Sequence, residues 1–91
     1  MPDRVRRHLW FSGRVQGVFF RDHCRALAQA HGVAGTAVNR ADGRVEVVLE
    51  GRPDAVAAVE AACRAGPHRA RVDHVDARDE APAGLTGFTV A

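Results

Sequence analysis

Hydrophobic and polar positions switch period several times along the chain, and each switch marks an element. From Val5 to Ser12 the period is two: Leu9 and Phe11 share one face, while His8, Trp10 and Ser12 share the other, as in a half-buried strand. From Phe20 to His31 the period becomes helical, with Phe20, Cys24, Leu27, Ala28 and His31 on one stripe and Gly32 placed to end it. A second strand is expected from Gly35 to Arg40, and Asp42-Gly43 signals a turn into a third, Arg44 to Glu50. In that third strand Val45, Val47 and Leu49 point inward and Glu46 and Glu50 outward, with Val48 an exception on the outer face. Gly51-Arg52-Pro53-Asp54 opens a second helix with Val56, Val59 and Cys63 as its stripe, and Gly66-Pro67 stops it. A fourth strand follows from Arg69 to Asp79, where Val72 and Val75 break strict alternation and predict a bulge or a change of face. After the loop Ala81-Pro82-Ala83-Gly84, Phe88 and Val90 suggest a short final strand.

The order is β-α-β-β-α-β with a short extra C-terminal strand. That is the pattern of an α+β, ferredoxin-like sandwich: an antiparallel sheet with two helices on one face and right-handed crossovers. The 91 residues leave room for one domain, 1–91, whose thin core favours a shallow site over a deep cleft. No apolar run approaches the ~18–20 residues of a membrane span. Leu9-Trp10-Phe11 is also far shorter than the ~7–15 residues of a signal-peptide core, so the expected location is the cytoplasm. Cys24 and Cys63 stand alone in sequence and read as small buried hydrophobes. The net charge of +2 suits an anionic ligand but is too small to argue for nucleic acid. Every cation is arginine, which excludes lysine chemistry such as a Schiff base or a Walker lysine.

The segment with most chemical content is Gly13-Arg14-Val15-Gln16-Gly17-Val18, between the first strand and the first helix. A glycine-punctuated loop feeding a helix N-terminus presents backbone N–H groups and the positive end of the helix dipole to an anion. Arg14 and Arg21 could add guanidinium contacts to a tetrahedral phosphate. The segment matches neither G-x-x-x-x-G-K-[ST] nor G-x-G-x-x-G. Taken alone, the two glycines equally allow a simple tight turn, with Arg21 a solvated surface charge. His8, His23, His31, His68 and His74 show no metal-ligand spacing, so neither a metal nor another cofactor is expected. Ser12 lacks a G-x-S-x-G context for a nucleophile, and Trp10 and Phe11, on opposite faces, do not make the paired aromatics of an RNA-binding sheet.

The nine residues Gly13-Arg14-Val15-Gln16-Gly17-Val18-Phe19-Phe20-Arg21 resemble the signature loop of the acylphosphatase family. A second likeness lies at Gly35-Thr36-Ala37-Val38-Asn39, followed by Asp42-Gly43-Arg44-Val45-Glu46. The resemblance extends over nearly the whole chain. It implies the same ferredoxin-like fold and metal-free hydrolysis of the carboxyl–phosphate bond of acyl phosphates, a hydrolase reaction on an acid anhydride. By motif position it implies that the backbone of Val15, Gln16, Gly17, Val18 and Phe19 cradles the phosphate, that Arg21 binds it, and that Asn39 positions the attacking water. Thr36-Ala37-Val38 stands where the family often has Trp-Val-Arg, and Thr89-Val90-Ala91 lacks the basic residue common after the last strand.

The chemistry agrees with that implication. Phosphoryl transfer through a loose transition state needs positioning and charge stabilisation, and a carboxylate leaves without a general acid. The expected partners are therefore a small acyl phosphate and the product inorganic phosphate, with no nucleic acid or membrane, acting on a monomer. The alternative is a non-catalytic ferredoxin-like module that binds RNA or protein. Such a module needs neither Arg21 nor Asn39 beside an anion loop.

Overall fold

The computed structural model describes residues 4–91. The elements are β1 (Val5–Arg14), α1 (Phe20–His31), β2 (Ala34–Asn39), β3 (Val45–Gly51), α2 (Pro53–Ala65), β4 (Arg71–Glu80) and β5 (Phe88–Val90). The helical periods and stop signals locate both helices; β1 runs two residues further than its alternation suggested and β4 begins two residues later. The strands form one sheet in the order β4-β1-β3-β2-β5. The inner faces of Leu9, Phe11, Val45, Val47 and Leu49 meet Phe20, Cys24 and Ala28 of α1 and Val56, Val59 and Cys63 of α2 in one core. Phe11 and Phe20 pack with ring centroids 5.0 Å apart, tying the first strand to the first turn of α1. The arrangement is the ferredoxin-like α+β sandwich.

One expectation about the sheet is corrected. Four strands are antiparallel, but β5 joins β2 in parallel through Gly35↔Phe88, Thr36↔Thr89 and Ala37↔Val90, so the sheet is mixed. Alternation reports which face a residue takes and carries no information on strand direction. The physical cause is the place of β4: it lies on the far edge beside β1, so the chain must cross the sheet end before adding beyond β2. At Gly35 the sheet packs very closely, since a Cβ there would stand 1.7 Å from the Val48 carbonyl oxygen. The bulge expected in the fourth strand is present. Ser12 pairs with His74 but Gly13 pairs with Val72, leaving Asp73 as the extra residue.

Glu50 is a second correction. It lies on the outer face, as its parity predicts, yet it is fully buried instead of facing solvent. The crossing segment covers it: its carboxylate accepts the N–H groups of Ala83 (3.0 Å), Gly84 (3.1 Å) and Leu85 (3.1 Å) and the Arg6 guanidinium at 2.6 Å. Burial pushes the carboxyl up, but these donors outweigh it and hold Glu50 at about 2, below its ordinary 4.5. Cys24 and Cys63 are free and buried as expected, with sulfurs 3.4 Å apart between the two helices. That contact, together with burial, raises the Cys24 thiol and keeps it protonated.

A carboxylate whose value falls on folding contributes stability above its unfolded value, and that contribution is lost as pH drops through the folded one. For Glu50 the window is pH 4.5 down to about 2, and the contribution is ~3 kcal/mol at neutral pH. Glu50→Gln should melt well below the parent at pH 7, with the difference narrowing towards pH 2. A difference that does not change with pH would rule out this linkage.

Candidate active site

Between β1 and α1 the chain alternates residues that anchor with residues that turn. Val15, Val18 and Phe20 are buried in the core, at 5% exposure or less. Between them, Gly17 (φ 73°) and Phe19 (φ 61°) adopt left-handed backbone. A Cβ at Gly17 would meet nothing within 4 Å, so the glycine is required by its backbone angle and not by lack of space. Among the described residues, the N–H groups of residues 16–20 make no hydrogen bond to a protein acceptor. Gln16 turns away and donates its Nε2 to the carbonyls of Arg40 (2.8 Å) and Arg44 (3.0 Å), which pins the loop to the β2–β3 turn.

Two side chains reach the same place from different elements. Arg21 stands in the first turn of α1 and Asn39 ends β2. Both are fixed by one atom: the main-chain oxygen of Ala91 accepts from Arg21 Nη1 at 2.6 Å and from the Asn39 N–H at 3.2 Å. Ala91 is itself held by its N–H, which donates to Ala37 at 3.0 Å. No Asp or Glu side chain pairs with Arg21 among the described residues, so its remaining donors stay available. The Asn39 Oδ1 is buried and is the one buried side-chain polar atom among the described residues without a hydrogen-bond partner. Leaving such an acceptor unmade costs about 1–3 kcal/mol, and groups of this kind need a specific explanation.

A cavity of about 240 Å³ lies at this junction, lined by Val15, Gly17, Phe19, Phe20, Arg21, Asp22 and Asn39. It thus brings together Val15, Gly17, Phe19, Arg21 and Asn39 of the expected site residues. The Gln16 side chain goes to the turn and the Val18 side chain to the core; the expectation for both concerned only their backbone. Arg14 and His23 do not line the cavity. Arg14 instead closes β1 opposite Arg71. Thr36 and Val38, where the family often has bulkier side chains, pair with Val48 and Glu46 and also lie off the cavity. Sequence reasoning missed three features: the left-handed Phe19, Asp22 on the cavity wall, and the Ala91 oxygen. Only Asp22 carried a signal, as an acid in the first turn of a helix. It is exposed and paired with Arg25 at 3.1 Å.

The family model described as Acylphosphatase matches residues 7–90. The chain is 48% identical over 90 residues to the acylphosphatase of a Synechococcus strain, covering 99% of this chain and 96% of that protein. It is 49% identical over 90 residues to that of Gloeobacter violaceus, covering 99% and 97%. The fold is similar to the crystal structure of the acylphosphatase from Bacillus subtilis, with a TM-score of 0.92 at 30% identity, covering 96% of this chain and 98% of that one.

Gly17→Ala places a side chain at φ 73°, a conformation that costs an L-residue roughly 1–2 kcal/mol. The loop can relieve this by turning its amides out of register. Inhibition or binding by inorganic phosphate should therefore weaken several-fold more than thermal stability alone accounts for. Unchanged phosphate affinity would mean that the loop amides do not hold the anion.

Proposed function

This chain belongs to the acylphosphatase family, and from that premise and the geometry of the cavity we propose that it hydrolyses acyl phosphates to a carboxylate and inorganic phosphate without a metal. The observation that carries this reading is the orphaned, buried Oδ1 of Asn39, a residue that lines a cavity together with Arg21 and the loop whose backbone amides are free. An amide oxygen only accepts, so it suits a donor such as water.

In this reading the phosphoryl group sits against the amides of Val15 to Phe19, at the positive end of α1, with Arg21 across its oxygens. These groups stabilise the charge spread over the phosphoryl oxygens in the transition state. The Ala91 oxygen holds Arg21 in place beforehand, so little reorganisation accompanies the reaction. Asn39 accepts a hydrogen bond from water and directs its lone pair at phosphorus, in line with the departing carboxylate. That carboxylate is a weak base and leaves without protonation. The proton of the attacking water passes to a phosphoryl oxygen of the substrate. Asp22, tied to Arg25, is not needed as a base. Among the described residues no three His, Cys, Asp or Glu side chains stand together as a metal site. We further propose that the protein works as a cytoplasmic monomer without nucleic acid or membrane; no described helix is long and apolar enough to cross a membrane. A module that merely held RNA or protein has no use for Arg21 and Asn39 around one cavity.

Purified protein should hydrolyse benzoyl phosphate and keep its activity in excess EDTA; activity lost on chelation and restored by a divalent ion would overturn the mechanism. Arg21→Gln should lose turnover by ~30- to 1,000-fold and also lose competitive inhibition by phosphate. Asn39→Ala should lose turnover by a similar factor yet bind phosphate within a few-fold of the parent, with unchanged thermal melts in both variants. Loss of phosphate binding with intact turnover in Asn39→Ala would remove Asn39 from the water-positioning role.

A further inference from the structure

Phe19 is the large hydrophobic side chain that the fold leaves exposed among the described residues: 76% of it is open to solvent. Its neighbours Val18 and Phe20 are buried, so the core does not account for it. The backbone does not favour it either. Phe19 occupies the N-cap position of α1 at φ 61°, where glycine or asparagine is less strained and where its side chain makes no capping bond. Phe19 nevertheless belongs to the lining of the same cavity as Arg21 and Asn39.

We propose that the ring of Phe19 is the platform for the acyl group and gives the site a preference for neutral, apolar acyl phosphates, aromatic ones above all. The inference rests on the reading of the cavity as an acyl phosphate site. With the phosphoryl group held between the loop amides, Arg21 and Asn39, the acyl group extends towards the part of the wall formed by Phe19 and Asp22. An aromatic ring offers an exposed π-face and apolar area at low entropic cost to an aryl or alkyl group. The Asp22 carboxylate disfavours a second negative charge on that group.

The test compares kcat/KM for benzoyl and acetyl phosphate in the parent, Phe19→Ala and Phe19→Leu. Any disturbance of the loop backbone acts on the phosphate end that both substrates share, and cancels in the ratio. The benzoyl-to-acetyl ratio should fall about tenfold in Phe19→Ala, chiefly through KM for benzoyl phosphate, and recover in part in Phe19→Leu. A ratio unchanged in Phe19→Ala overturns the platform and leaves the hydrolase reading standing. A parent protein that hydrolyses neither substrate overturns both.

Discussion

The backbone of the loop between β1 and α1 must turn left-handed twice within three residues, at Gly17 and again at Phe19. Everything chemical about the molecule depends on that constraint. It keeps the amides of residues 16–20 out of any internal ladder and sets them at the head of a helix. A left-handed phenylalanine is unfavourable by roughly 1–2 kcal/mol. The burial of Val15, Val18 and Phe20 on either side, each contributing roughly 1.5–3 kcal/mol, offsets it. The core therefore fixes the loop as well as the sandwich. The Gln16 bonds to the β2–β3 turn extend the same fixation to the strand that carries Asn39.

A second line of support reaches the site from the other end of the sheet. Glu50, buried on the outer face, gathers three consecutive amides of the segment that crosses towards β5. That anchorage sets the entry of β5 alongside β2, and the parallel register then delivers Ala91 to Arg21 and Asn39. Arg21 is thus oriented by the chain itself.

Much of this was legible in the sequence because it follows from period and punctuation. The stripe from Phe20 to His31, the Asp42-Gly43 turn and the break at Val72 and Val75 all have local causes, and the motif residues Arg21 and Asn39 do meet at one cavity. What was not legible is non-local. The direction of β5 depends on which edge β4 occupies. The burial of Glu50 depends on a loop more than thirty residues downstream in the chain, so a glutamate at an outward position read as solvated. The left-handed angle of Phe19 runs against its own preference and is imposed by its neighbours' burial. Nothing in the composition of Ala91 announces that its main-chain oxygen will hold two site residues.

The central claim is that water held by Asn39 attacks phosphorus and not the acyl carbon. Turnover of benzoyl phosphate in water enriched in oxygen-18 separates the two most directly, because attack at phosphorus places the new oxygen in inorganic phosphate. The account predicts one labelled oxygen per turnover in phosphate and none in benzoate. Label in the benzoate would contradict it.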